Sequence, residues 1–412
     1  MKPMRILEIN KFYNSKRGAD KHFIDLIALL KENGHEVAEF SMFQEDNNYS
    51  RWNKYFLSKV GYGSGFSLWE KIKGAARMFY SFEAKRKINA ILDEFKPDIV
   101  HIHNIYHQIS PAILFEIKKR GIPVVMTVHD YKLINPNHSL YLDGKPYQRC
   151  ANGKYYQCFF DKCVKNSYAK SFLASLEMYW HRWLGTYGKN IDLYIAPSKF
   201  VKTTLVKWNI SAEKIIVLPH FIPFRKKDSK RYSFAVADKY AIYPGKISKE
   251  KGVDALIQIF LKQKGLKLYL AGEIEDGFEI PNHPNIVYLG FLKADQLKEY
   301  VRNSACIVSG SRLPETFGLI AIEAMVEGKP FLGFDSGAYG EIIENELTGY
   351  IAKSDEEFAE FLKKMENGSV IFNSDEIKKH VKKYDPENYC KNLIQIFKNI
   401  IDETNTKRKN IY

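Results

Sequence analysis

Two carboxylates stand out in "SRLPETFGLIAIEAMVEGKP", residues 311–330: Glu315 and Glu323 lie in an otherwise apolar run. A carboxylate taken out of water is costly unless something pairs with it. An ionised carboxylate accepts hydrogen bonds and donates none, so the ligand it suits is rich in hydroxyls. A sugar or a ribose meets that demand. The reading without a ligand is a capping Glu315 and a partly exposed helical Glu323. Pro314 and Gly318 bracket a turn, and the pattern predicts a helix beginning near Thr316 to Phe317. The N–H groups of Phe317 and Gly318, with Leu319 next to them, would then face an anion.

A second group follows the apolar run "YAIYP". Gly245 and Lys246 precede "ISKEKG", with Lys251 just before a helix expected near Gly252. Two cations beside a helix N-terminus suit a phosphate or diphosphate. A solvated lysine-rich turn is the plain alternative. After "PVVMTV" comes His129-Asp130, where an imidazole beside an acid can donate to a substrate hydroxyl or move a proton. A satisfied core histidine reads equally well. Gly18, in "KRGADKH", permits close backbone approach at the start of the first helix. No G-x-G-x-x-G, Walker A or G-x-S-x-G motif is visible, so a nicotinamide cofactor is disfavoured. No Asp-x-Asp pair follows a strand as a metal–nucleotide grip would need.

All of these residues fall just after apolar, β-branched runs. Such runs occur at "RILEIN", "HEVAEFSMF", "DIVHIHN", "PVVMTVHD" and "DLYIAPS", then at "YAIYPGK", "LKLYLAGE", "NIVYLGF", "CIVSGSR" and "PFLGFDS". Near-continuous apolar strands separated by helical patterns mean parallel sheets covered on both faces. Two such series predict two doubly wound α/β domains, with ligands at the carboxyl ends of the strands. The first helix runs from about Asp20 to Asn33 and stops at Gly34. "VLPHFIPFRKKDSK", with Pro219 and Pro223, reads as the interdomain linker. Segments 51–96 and 131–190 break the β/α rhythm.

The chain of 412 residues is long for one core, carries a net charge of +14 and has 45% hydrophobic residues. Positive charge favours an acidic partner: a phosphorylated small molecule, an anionic membrane surface or nucleic acid. Basic residues are scattered and no nucleic-acid module is visible, so nucleic acid is set aside. No stretch approaches the roughly 18–20 apolar residues that span a bilayer, and no signal peptide is legible, so a cytoplasmic location is expected. Aromatic and basic residues around Trp52, Lys54, Tyr55, Phe56 and Lys59, and again over 165–189, suggest contact with an anionic membrane; packing of the Trp52–Phe56 aromatics against the first domain reads equally well. Cys150, Cys158 and Cys163 cluster, which in a cytoplasmic protein suggests metal or reduced thiols before disulfides. Three thiols fall short of the four ligands zinc prefers, with His138 as a candidate fourth.

Taken together, "ILEINKFYNSKRGADKHFIDLIALLKENGHEV", "TVHDY", "IAPSKF", "YPGKISKEKG", "PETFGLIAIEAM" and "DSGAYGEIIENELTGYI" resemble glycosyltransferase family 4, the group 1 glycosyl transferases of the GT-B fold. The resemblance covers nearly the whole chain. It implies two Rossmann-like domains: 1–218 on the acceptor side, with an insertion at about 131–190, and 219–386 for the nucleotide sugar. A C-terminal helix, 387–412, would cross back to the first domain. The implied activity is retaining hexosyl transfer from a UDP- or GDP-type sugar to a glycan or lipid-linked acceptor, in cell-surface polysaccharide synthesis, with no cofactor required. By the match Lys246 and Lys251 would neutralise the diphosphate, and Glu323 would hold the ribose. Glu315 and the N–H groups after it would meet the donor sugar. His129 would approach the sugar ring, and Gly18 would lie by the acceptor and phosphate. The family usually has Arg where this chain has Lys246, which lacks the bidentate fork. A peripheral membrane protein with an inactive transferase fold is the alternative, against which the intact Glu315, Glu323, Lys246 and Lys251 argue.

Overall fold

A computed structural model describes residues 3–15, 18–60, 67–222 and 239–409. From residue 223 on, the expected linker lies outside the described residues. The chain divides into two compact units. Unit 1 comprises Met1–Leu142, Tyr147–Phe221 and Pro386–Tyr412. Unit 2 comprises Asp143–Pro146 and Ile222–Asp385.

Unit 1 is built on β1 (Arg5–Ile9), β2 (Glu36–Phe40), β3 (Ile99–Ile102) and β4 (Val124–Thr127). The two-residue strand β5 (Tyr141–Leu142) follows, then β7 (Leu193–Ala196) and β8 (Ile215–Val217), while the two-residue β6 (Lys145–Pro146) falls in unit 2. The main sheet is parallel in the order β2-β1-β3-β4-β7-β8. The central strands β3 and β4 are buried at every residue. Alternation sends neighbouring residues to opposite faces. Leu7, Val100 and Met126 enter one apolar cluster, whereas Ile6, Ile99 and Val125 enter the other. That second cluster also holds Phe23 and Leu26 of the helix Gly18–Glu32, and Leu393, Ile394 and Phe397 of the helix Pro386–Lys409.

Unit 2 repeats the plan with β9 (Tyr240–Pro244), β10 (Lys267–Ala271), β11 (Ile286–Gly290), β12 (Cys306–Val308), β13 (Phe331–Phe334) and β14 (Gly349–Ala352). Its parallel sheet has the order β11-β10-β9-β12-β13-β14. Both main sheets are therefore doubly wound. In unit 1 the direction of winding reverses between β1 and β3, in unit 2 between β9 and β12. Loops leaving such a reversal point splay apart and leave a crevice at the strands' carboxyl ends.

Ten of these strands match the runs expected from sequence. The short β5, β6 and β8, and β14 after "NELT", were not expected. The segment singled out for membrane contact is corrected. Trp52 is 6% exposed and Phe56 3%, with Trp52 edge-on to Phe95 at 5.3 Å and Phe56 edge-on to Tyr13 at 5.9 Å. Lys54 and Tyr55 both bond Glu94. These aromatics are core, because a strand-flanking segment must cover the sheet face beside it.

Apart from Asp143–Pro146, the insertion folds as part of unit 1. Its long helix, Tyr168–Leu184, presents Glu177 inward. The Glu177 carboxylate accepts from Lys132 Nζ at 2.7 Å and meets His107 Nε2 at 3.0 Å. Burial alone would push the Glu177 pKa up, but the interactions with His107 and Lys132 prevail and hold it at about 2. The cysteine expectation is also corrected: Cys158 and Cys163 form a disulfide, leaving Cys150 as a buried thiol that donates to Tyr147 Oη at 3.4 Å. Pairing removes two of the three thiols a metal would have used.

Candidate functional site

In unit 2 the loops after β9 and β12 flank the winding reversal. The turn after β9 closes through Gly252 N–H to the Lys249 carbonyl and Val253 N–H to the Ser248 carbonyl. Gly252 sits at φ +66°, ahead of the helix Val253–Phe260. A Cβ there would lie 2.0 Å from the Gly310 carbonyl oxygen, and one on Gly310 would lie 2.1 Å from that of Gly252. Two glycines thus let the backbones of the two loops touch. This approach puts Lys251 against Glu315: Lys251 Nζ donates to Glu315 Oε1 at 3.2 Å. Ser311 Oγ donates to the same oxygen at 3.2 Å.

The pair is half-buried, with side-chain exposures of 40% for Lys251 and 23% for Glu315. It is reachable by a ligand and still partly screened from water. Two phenols belong to the same environment. Burial, and after it the Glu315 charge, pushes the hydroxyls of Tyr243 and Tyr339 above their ordinary value, so both stay protonated. Tyr243 Oη donates to the Lys246 carbonyl at 2.9 Å.

The second expected lysine goes elsewhere. Lys246 is exposed and its ammonium pairs with Glu275 Oε1 at 2.5 Å. Gly245 lies half-buried beside it, and its N–H donates to the Ala271 carbonyl at 2.9 Å. The helix after Glu315 begins later than expected, at Leu319 rather than Thr316 or Phe317. Gly318 at φ +85° turns the chain into it, and a Cβ there would strike the Tyr339 ring at 2.5 Å. The first helical N–H groups therefore belong to Leu319 and the residues after it, while Phe317 and Gly318 precede the helix. Phe317 is buried edge-on to Tyr384, at 5.6 Å. Glu323, half-buried, opens the helix's second turn.

In unit 1 the structure assembles more than His129. Glu8 on β1 lies in register with His101 on β3. His101 Nδ1 meets Glu8 Oε1 at 3.0 Å, and its Nε2 meets Thr127 Oγ1 at 2.8 Å. His103, just past β3, places Nε2 3.0 Å from Glu8 Oε2 and Nδ1 2.7 Å from His129 Nε2. The His129 ring stacks on His220 at 5.0 Å, and His220 packs on His22 at 4.0 Å. Glu8, His101, His103, His22 and His220 are buried; His129, two residues beyond β4, is half-buried. Burial lowers the pKa of His22, His103 and His220, and brings that of His129 down to about 3. Burial raises that of Glu8. The rings of His22, His103, His129 and His220 are accordingly neutral at ordinary pH.

Among the described residues, the group of acidic, histidine and cysteine side chains close enough to share an ion is Glu8, His101 and His103. Their facing atoms are occupied by hydrogen bonds to one another, and neither His138 nor the cysteines join them. Gly18 is the exposed first residue of its helix. Sequence reasoning missed Glu8, His101, His103, Tyr243, Ser311 and Glu275. The signal for the first three was the polar residue at alternate places in two otherwise apolar strands, "ILEI" and "IVHIH".

Comparison with known proteins agrees with this architecture. Residues 16–226 match the model of Glycosyltransferase Family 4, and residues 224–387 that of Glycosyl transferases group 1. An uncharacterized 42.6 kDa protein in the cps region of Klebsiella pneumoniae is 26% identical over 356 residues, covering 82% of this chain and 87% of that one. The lipopolysaccharide outer core galactosyltransferase WaaB superposes with a TM-score of 0.60 at 17% identity, over 97% of this chain and 99% of that one. Anabaena Alr3699/HepE in complex with UDP and glucose gives 0.64 at 16% identity, over 96% and 99%.

Proposed function

Because the chain belongs to glycosyltransferase family 4, and its second half to the group 1 glycosyl transferases, it is a glycosyltransferase, and we propose that it is a retaining hexosyltransferase drawing on a nucleoside diphosphate sugar. The acceptor in this reading is a glycan or lipid-linked sugar of a cell-surface polysaccharide. The cps-region relative and the lipopolysaccharide galactosyltransferase support that context, and the UDP bound by the Anabaena neighbour supports a uridine donor.

One observation carries the donor assignment: Lys251 and Glu315, from loops on the two sides of the winding reversal, meet at 3.2 Å in unit 2. A cation for the diphosphate and an acceptor for sugar hydroxyls then lie side by side. Lys251 takes the diphosphate, and Lys246 joins it by leaving Glu275. Glu315 accepts from the donor sugar and Glu323 from the ribose. The N–H groups of Phe317, Gly318 and Leu319, with the Gly245 backbone, line the donor. In unit 1 we assign His129 to a sugar hydroxyl and Gly18 to the acceptor or a phosphate.

The bond from the anomeric carbon to the diphosphate oxygen breaks as lysine charge and backbone N–H groups stabilise the leaving oxygen. A bond to the acceptor oxygen forms on the same face, and the acceptor's proton passes to a phosphate oxygen. This scheme needs no metal. The test is calorimetry with UDP and GDP, followed by transfer from the matching sugar nucleotides with the anomeric configuration read by NMR. Binding of neither nucleotide would leave the competing reading, a membrane-bound protein with an inert transferase fold. An inverted product would overturn retention alone.

A further inference from the structure

The helix Tyr168–Leu184 is amphipathic in the wrong direction. Its inward stripe consists mainly of small or polar residues: Ser171, Ala174, Ser175 and His181, with Met178. Its outward stripe is apolar and large: Tyr168, Phe172, Leu176, Tyr179, Trp180 and Trp183, at helical spacing and all exposed. Phe172 is 55% exposed and Trp183 76%. The stripe continues onto neighbouring elements, because Phe159 lies 6.0 Å from Phe172, and Phe79 6.3 Å from Trp180. Trp69, Ile72 and Phe160 are exposed as well. A contiguous aromatic face of this kind marks a contact surface.

Along the helix itself the exposed charges are of one sign. Between residues 162 and 191 the single acidic residue is Glu177, which is buried in its ion pair with Lys132. Lys165, Lys170, Arg182 and Lys189 are exposed, and Lys162 Nζ sits over the Tyr168 ring at 4.5 Å. We infer that this face of unit 1 docks on an anionic lipid bilayer, with the aromatic stripe at the headgroup–acyl boundary and the lysines and arginine against lipid phosphates. Trp and Tyr rings, apolar with one polar atom, suit that boundary. No described helix is long and apolar enough to cross a membrane, so the contact lies along the surface. This inference does not depend on the sugar-transfer reading.

The test is sedimentation of the full chain with phosphatidylcholine vesicles containing or lacking phosphatidylglycerol. Binding should require the anionic lipid and fall with salt. F172S/L176S/W183S, changed only at exposed positions, should lose binding at least tenfold while keeping the wild-type melting temperature. Each cation removed in K165Q/K170Q/R182Q should cost about fivefold. Equal binding to neutral vesicles, unaltered binding by the triple aromatic variant, or self-association through this face without vesicle binding would each overturn it.

A second observation lies inside unit 1. The Glu8 carboxylate is flanked by one nitrogen of His101 and one of His103, so an ionised Glu8 makes both donors. His103 then carries its proton on Nε2, and its Nδ1 accepts from His129 Nε2–H. The geometry points to Glu8 and His103 as positioning residues that fix the tautomer of His129, leaving His129 Nδ1 as an acceptor. Nitrogen-15 NMR of histidine-labelled protein reads this directly and needs no activity. Wild-type His129 should show Nε2–H alone. His103→Asn, whose amide oxygen replaces Nδ1, should preserve that state, and His103→Leu should give mixed tautomers. An Nδ1–H tautomer of His129 in the wild type would overturn the assignment whether or not the variants fold.

Discussion

Removing one or the other member of the Lys251–Glu315 pair should have different effects: loss of Lys251 weakens nucleotide binding, whereas loss of Glu315 lowers turnover and leaves nucleotide affinity nearly intact. Lys251 is assigned to the diphosphate, and a charge-assisted hydrogen bond contributes about 1.5–3 kcal/mol. Lys251→Ala should therefore weaken UDP binding about 10- to 100-fold. Glu315 holds the same ammonium at 3.2 Å, but the pair is 40% and 23% exposed. Screening limits such a pair to about 0.5–1 kcal/mol. Glu315→Ala frees the lysine from that partner, so UDP affinity should stay within about fivefold and move upward. Transfer should still fall about 10- to 100-fold, because the donor sugar loses its acceptor. In the double variant the coupling between the sites should equal about 0.5–1 kcal/mol. Calorimetry with UDP and one transfer assay, on the two single variants and the double, measure every term. Glu323→Ala, expected to lose UDP affinity like Lys251→Ala, is the control. The division of the donor is refuted if Glu315→Ala loses UDP affinity as severely as Glu323→Ala, or if Lys251→Ala binds UDP normally.

Glu177→Ala leaves Lys132 buried without its carboxylate partner, so unit 1 should lose about 3–5 kcal/mol in denaturant unfolding; a loss below about 1 kcal/mol would mean that water replaces the ion pair. His22, His103, His129 and His220 have native pKa values held below the ordinary 6.5. The unfolded chain binds their protons first, so their contribution is present above pH 6.5 and is lost as pH falls toward about 3. Glu8, with a raised value, changes in the opposite sense. Each fully shifted histidine should contribute about 1.4 kcal/mol per pH unit to that fall, and His22→Phe should reduce the slope measured by urea unfolding between pH 6.5 and 4.5; an unchanged slope would contradict it. Transfer should survive EDTA, since the proposed scheme puts the diphosphate charge on lysines, and total loss restored by magnesium or manganese would overturn that metal-free scheme.

Much of this was legible in the sequence because it is local. A parallel strand buried on both faces must be apolar along its length, so "DIVHIHN" and "CIVSGSR" announced β3 and β12, and the residues following each strand were set at the sheet's carboxyl edge. Lys251, Glu315 and His129 were found by that rule. Partner choice was not legible, because it depends on which loops the sheet order brings together. Gly252 against Gly310 delivers Lys251 to Glu315, while Lys246, five residues earlier, turns to Glu275. Glu8 joins His101 only because β1 and β3, some ninety residues apart, are neighbours in register. Aromatic content also identified two unusual segments without saying which side of each faces water. Packing decided that Trp52 and Phe56 are core, and that Phe172 and Trp183 are surface. Composition names the residues able to bury or to bind, but burial is a property of neighbours, and neighbours are supplied by the fold.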